Sequence, residues 1–227
     1  MSNEKQEEVS EEEYDEILQD IAGDSGFQKV SETKVLHNRP KVETPVLPLN
    51  AFLGGGFPLG IMAEFYGEPS SGKSSFSYQV IGRFQEQYPN GVAVIIDVES
   101  SVDKDRMRQL GCDPENVLRL PAGTMQEGFE QMLDMLKKKS NNPKAKDMPV
   151  LVLYDTIAIS PTDEQFDTGE MDAGGMMQKP RVIKNYLSML LPLLEDQPVT
   201  FLFLNQITTK KSGRYYKKGS GGGFGLT

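Results

Sequence analysis

Gly67-Glu68-Pro69-Ser70-Ser71-Gly72-Lys73-Ser74 fits the phosphate-cradling pattern G-x-x-x-x-G-K-[ST] without a mismatch. Ile61 to Tyr66 before it reads as a strand, and Lys73 to Gln87 after it as a helix. The residue types follow from the ligand. Triphosphate oxygens need many donors in a small concave space, and backbone N–H groups at a glycine-bearing turn and a helix N-terminus supply them. Gly67 and Gly72 allow the close approach that a Cβ would hinder. Lys73 is placed to reach the β- and γ-phosphates, Ser74 to hold Mg²⁺, and Ser75 to follow in the first helical turn. The segment therefore points to a nucleoside triphosphate with Mg²⁺, held by a strand–loop–helix unit.

Outward from this unit, apolar runs alternate with helical patterns. Val92–Asp97, Val117–Leu120, Val150–Asp155 and Val199–Asn205 read as strands; Asp103–Gly111, Thr124–Lys139 and about Met176–Glu195 read as helices. Pro180 suits the first turn of the last helix, and Pro192 predicts a kink or an early end. Leu49 to Gly60, with Gly54-Gly55-Gly56-Phe57-Pro58, reads as a turn. Strands alternating with helices predict an α/β fold with a mostly parallel central sheet flanked by helices. In such sheets ligands sit at the carboxyl ends of the strands, and each strand end here carries a polar group. Asp155 has the Walker B position and is the candidate second metal ligand beside Ser74. Alternation puts Asp97 and Glu99 on the same side if the chain stays extended, and one of them is the candidate to orient or deprotonate the attacking water. Asn205-Gln206 offers a neutral amide that can sense a γ-phosphate.

Composition bounds the remainder. The 227 residues suffice for one large domain, and no apolar run approaches the ~18 residues of a membrane span. Cys112 is the single cysteine, which excludes an internal disulfide framework, suits a reducing cytosol and reads as a small buried hydrophobe. The single histidine, His37, reads as a surface residue. The net charge of −9 is not spread evenly. Residues 1–25 hold ten acids and one base, so the remaining 202 residues hold 23 of each and sum to zero. Within this acidic segment Tyr14, Ile17, Leu18 and Ile21 share a helical face, as either a solvated leader or a helix that docks on a neighbouring subunit. Thr208 to Gly223 carries Lys210, Lys211, Arg214, Lys217 and Lys218, no acid, and Tyr215 and Tyr216 between glycines and serines. Phosphate neutralisation with aromatic stacking is the chemistry of single-strand binding. Asp163 to Lys179, with Met176 and Met177 beside two glycines, is a second candidate loop.

These residues, in this order, resemble the RecA family of strand-exchange recombinases, with phage UvsX-like proteins as near relatives. The resemblance runs over about 45–227 through Phe65 to Ser74, Ile96-Asp97-Val98-Glu99, Asp103, Leu110-Gly111, Val152 to Thr156 and Leu204 to Ile207. It implies a RecA-like P-loop ATPase core preceded by an acidic leader and connector at 1–44. It implies ATP cradled by Gly67, Glu68, Pro69, Ser70, Ser71, Gly72, Lys73, Ser74 and Ser75, with Lys73 among the catalytic groups. Glu99 becomes the carboxylate that polarises water and Asp103 the partner of the adenine amine; where the family often places a tyrosine against adenine this chain has Arg106, whose guanidinium plane can also stack on the base. Gln206 couples the γ-phosphate to the following DNA loop, and Met176 and Met177 fall in the place of the first DNA loop. The implied partners are single-stranded and duplex DNA, further subunits in a helical filament, and single-strand-binding or mediator proteins. The implied setting is a bacterial or phage-infected cytoplasm, with roles in recombination and repair. In two respects the chain departs from the family. Its N-terminal segment is acidic where the family has a basic helix, and it stops at Thr227, after the second DNA loop, where family members continue with further core strands. A RecA-fold regulator or filament cap, and a helicase-type motor, are the competing expectations.

Overall fold

Even and odd positions along each apolar run face different layers, and this alternation builds the core. The computed structural model describes residues 9–23, 39–169, 173–195, 197–212 and 215–220; at 173–177, 208–212 and 215–220 it describes the backbone alone. His37 and Arg214 lie outside the described residues. The chain divides into two units, Met1–Arg39 and Pro40–Thr227.

The first unit contributes α1 (Glu11–Ala22). Ser10 starts it with a capping box: its Oγ accepts from the Glu13 N–H at 3.3 Å, and the Glu13 carboxylate accepts from the Ser10 N–H at 3.2 Å. Glu11, Glu12 and Glu13 complement the positive end of the helix dipole. Tyr14, Ile17 and Ile21 are exposed along it.

The second unit opens with a two-stranded antiparallel ribbon of β1 (Lys41–Val42) and β2 (Phe57–Pro58), with α2 (Leu47–Phe52) between them. The segment read as a turn thus contains a short helix. Its register is set by Asn50, whose side chain bonds the Thr44 N–H and C=O at 2.8 and 2.9 Å.

A five-stranded parallel sheet forms the centre. Its strands are β3 (Met62–Gly67), β4 (Val92–Asp97), β5 (Val117–Pro121), β6 (Val150–Asp155) and β7 (Val199–Ser212), in the order β3-β7-β6-β4-β5. On one face lie α3 (Lys73–Gln87) and α4 (Lys104–Gln109), which bury Tyr78, Ile81, Phe84 and Met107 against Ala93, Ile95, Leu151, Leu153, Leu202 and Leu204. On the other lie α5 (Met125–Ser140) and α7 (Ala173–Leu194), which bury Phe129, Met132, Leu136, Ile183 and Leu190 against Ile96, Val152, Tyr154, Phe201 and Phe203. Phe129 stacks on Tyr186 of α7 with centroids 5.1 Å apart, joining the two helices of this layer. Cys112 is buried, and burial pushes its thiol up to about 12, as an inert core residue requires.

Three expectations are revised. α7 begins at Ala173, so Pro180 lies beyond the first turn, and the helix runs through Pro192 to Leu194. Burial of Ile183, Leu190 and Leu194 outweighs the backbone bonds that the prolines remove. Asp163 to Lys179 is largely helical, with α6 (Asp163–Thr168) started by a Thr162–Gln165 capping box. The basic stretch after Gln206 is a hairpin: β7 continues to Ser212 and pairs antiparallel with β8 (Tyr215–Ser220).

Candidate nucleotide site at the strand ends

The loop between β3 and α3 is built to present N–H groups. Gly72 caps α3 in the left-handed region at φ 89° and supplies no side chain to the first-turn donors, which therefore face outward. Ser70 also has positive φ, 59°. A Cβ on Gly67 would meet Ser71 Oγ at 2.7 Å, so the loop closes tightly over that glycine. Lys73 Nζ donates to the carbonyls of Gly67 and Glu68 at 3.1 and 2.8 Å, which holds the ammonium over the loop.

The parallel register aligns the remaining groups. Asp97 stands opposite Asp155, and Gly67 opposite Gln206. Strand alternation assigns Asp97, Asp155 and Gln206 to the α3 face, because Ile95, Leu153 and Leu204 are packed there. Ser74 Oγ, at the start of α3, donates to Asp155 Oδ2 at 3.0 Å. Burial raises the Asp155 carboxyl to about 6 against the opposing Ser74 hydrogen bond, and the charges of Glu99 and Asp97 raise it further. One hydroxyl and one carboxylate are the protein donors that suit Mg²⁺, an ion that keeps several waters and takes its other ligands from phosphate. Among the described residues no group of three or more His, Cys, Asp or Glu side chains forms an all-protein metal cage.

The two candidate water-activating carboxylates differ in surroundings. The Asp97 side chain is 0% exposed. Its Oδ2 accepts from Arg119 Nε at 2.7 Å and stands in an ion pair 2.7 Å from Arg119 Nη2, and its Oδ1 accepts from the Ser101 N–H at 3.1 Å. Glu99 is exposed in the turn that follows β4. Asp103 is the N-cap of α4, its Oδ1 accepting from the Arg106 N–H at 2.9 Å, and Arg106 lies exposed on that helix. Burial of Tyr78 of α3, with the charges of Asp155 and Asp97, pushes its phenol up to about 12.

The stretch of β7 beside the phosphate loop is tied on both sides. Asn205 Nδ2 donates to Glu64 Oε1 of β3 at 2.7 Å, and Asn205 Oδ1 accepts from the Gln206 N–H at 2.9 Å. Just after β6, Thr156 Oγ1 donates to the Leu204 carbonyl at 2.6 Å, and the Ile157 N–H donates to the same carbonyl at 3.0 Å. Lys179 of α7 donates to the Ala158 carbonyl at 3.0 Å. Gln206 is thus the last residue of β7 paired with β3, and the next, Ile207, pairs with β8.

The strand ends bring Lys73, Ser74, Asp155, Glu99 and Gln206 to one edge of the sheet. Met176 and Met177 lie in α7; Lys210, Lys211, Tyr215, Tyr216, Lys217 and Lys218 lie in the hairpin, and the side chains of all of these are outside the described residues. Sequence reading missed the Arg119–Asp97 pair and the Glu64–Asn205 tie. An arginine inside the apolar run Val117–Leu120 was the available signal for the first, since such a charge calls for a partner.

Residues 16–223 match the family described as the RecA N-terminal domain. The chain is 31% identical over 182 residues to Protein RecA of Mesomycoplasma hyopneumoniae strain J, which is 78% of this chain and 51% of that protein. It is 32% identical over 171 residues to Protein RecA of Nitratiruptor sp., 74% of this chain and 46% of that protein. To Protein RecA of Francisella philomiragia it is 26% identical over 189 residues, 83% and 49% of the two. The chain spans about half the length of the curated relatives it matches.

Proposed function

Since this chain belongs to the RecA family, we propose that it is a DNA-dependent ATPase that polymerises on single-stranded DNA and promotes homologous pairing and strand exchange. The observation that carries the reading is the placement of Gln206. One residue joins the strand beside the phosphate loop to a hairpin that holds four lysines and two tyrosines.

In this reading the N–H groups of residues 67–74 and the Lys73 ammonium hold the triphosphate and stabilise charge that develops on it. Ser74 and Asp155 hold Mg²⁺, which neutralises phosphate charge when bound. Glu99, exposed at the strand ends, orients the attacking water and takes its proton. Asp97 is committed to Arg119 and Ser101 and does not serve as the base. Asp103 and Arg106 receive the base of the nucleotide. Gln206 reads the γ-phosphate, and the Glu64–Asn205 tie fixes the strand from which it reads. The hairpin, Arg214 and the start of α7 grip DNA.

The test is ATP turnover with and without single-stranded DNA, with electron microscopy of the same mixture in an ATP analogue. DNA-stimulated turnover and helical filaments are expected. Equal turnover with and without DNA, together with single particles that bind ATP, would overturn the proposal in favour of a RecA-fold regulator.

A further inference from the structure

We propose that Arg119, on the edge strand β5, is a positioning residue for Glu99, acting through Asp97. The proposal rests on the reading of Glu99 as the water-activating carboxylate.

The turn that carries Glu99 has unusual demands. It leaves β4 at Asp97, reaches the left-handed region at Ser100 with φ 52°, and enters α4 through the Asp103 cap. A non-glycine residue in that region persists only where its surroundings hold it. Two bonds pin the turn. The Val98 N–H donates to the Asp155 carbonyl at 3.0 Å, which fixes the near side. The Ser101 N–H donates to Asp97 Oδ1, which closes the far side over Glu99 and Ser100. The second bond depends on where the Asp97 carboxylate points.

That direction is set by Arg119. Asp97 and Arg119 are diagonal neighbours on one face of the β4–β5 pair, since Arg119 stands opposite Ile95. Nε donates to Oδ2 at 2.7 Å and Nη2 stands 2.7 Å from the same oxygen, a planar approach that the single ammonium of a lysine cannot reproduce. The Asp97 side chain is 0% exposed while that of Arg119 is 44% exposed. The pair therefore differs from an ordinary surface bridge: removing the arginine leaves a buried carboxylate without its counter-charge. Asp97 would then turn away from its present position and release the Ser101 amide. Glu99 would keep its chemistry and lose its placement.

The experiment compares Arg119→Met, Arg119→Lys, Asp97→Asn and the double variant Asp97→Asn/Arg119→Met with the unchanged chain. Two readouts are taken: amide hydrogen exchange over residues 98–101, and ATP turnover with single-stranded DNA. Arg119→Met is expected to speed exchange there roughly tenfold, the loss of a charge-assisted bond. The loop at 67–74 should exchange as before. Turnover should fall in kcat by on the order of tenfold to a hundredfold, as misplacement of a reacting group by about 1 Å does, with KM unchanged. Arg119→Lys should fall between, and the double variant should lose no more than Asp97→Asn alone. Wild-type exchange at 98–101 in Arg119→Met overturns the proposal, as do losses that add in the double variant. If the unchanged chain shows no DNA-stimulated turnover, the proposed function fails. Exchange at 98–101 then decides the clamp by itself.

Discussion

Asp155 carries a conflict between stability and ligand binding within one side chain. The residue is 6% exposed, and burial lifts its carboxyl from 3.8 to about 6. A raised folded value means that the fold favours the protonated form. The corresponding stability is fully present below about 3.8 and is lost as pH rises through 6. Ionisation inside the metal-free fold therefore costs on the order of 2–3 kcal/mol at neutral pH. Asp155→Asn, which can still accept from Ser74, should raise Tm at pH 7, and the gain should vanish at pH 4. A gain equal at both pH values would exclude ionisation as its source. The same variant should lose Mg²⁺-dependent nucleotide binding. Two other residues separate binding from chemistry. Lys73→Ala should weaken nucleotide binding, measured by titration, by about tenfold or more, the worth of a charge-assisted bond. Glu99→Gln should bind as before and turn over about 100-fold more slowly or less. A Glu99→Gln variant with normal turnover would remove Glu99 from its proposed role.

At the scale of elements, α3 and α4 meet where they have almost no side chain between them. A Cβ on Gly82, inside α3, would lie 2.4 Å from the Gly111 carbonyl oxygen, which follows α4. In an open helix glycine to alanine adds about 1 kcal/mol of stability. Here the backbone oxygen cannot give way as a flexible side chain would. Gly82→Ala should therefore destabilise by about 3 kcal/mol, seen as a lower urea midpoint. A neutral or stabilising effect would show that α4 can slide. The elements that the sequence announced are those with a strong period or a continuous apolar run. Lys73–Gln87, Val92–Asp97 and Val150–Asp155 have the expected bounds, because burial on one or both faces writes itself into their residues. α2 could not be read in this way: it has no buried residue, leaves Leu47 and Phe52 exposed, and is fixed by Asn50 from outside its backbone. α6 was legible in principle through Thr162 and Gln165, a capping-box pattern that was passed over. At the candidate nucleotide site the phosphate-loop pattern and the strand-end acids can be named from sequence because the chemistry they suggest is local; their roles belong to the proposed function. Arg119 was not assigned because its partner lies across a strand pairing that only the sheet order reveals.

For the whole molecule, the separation of charge matters more than its sum. Residues 1–25 account for the whole of the −9, and the remaining residues are balanced. In the proposed function, repulsion from DNA phosphate would reside in this acidic segment and attraction in the basic hairpin. If Lys210, Lys211, Arg214, Lys217 and Lys218 all meet phosphates, log Kd against log salt for single-stranded DNA should have a slope of magnitude about 3.5, from roughly 0.7 per contact. A slope near zero would remove the basic hairpin from the interface. Among the described residues no helix is long and apolar enough to cross a membrane. The unbroken course of β7 has a mechanical meaning as well. Up to Phe203 the strand is paired on both sides, from there to Gln206 it pairs with β3, and beyond it β8 is the paired strand. It is a cantilever whose root is the residue proposed to touch phosphate. Six further residues to Ser212 make an arm of about 20 Å. A tilt of roughly 10° at the root would carry the tip about 3 Å, close to the rise of one strand residue. A small movement beside the nucleotide would thus reach the far end of the hairpin as a whole-residue step.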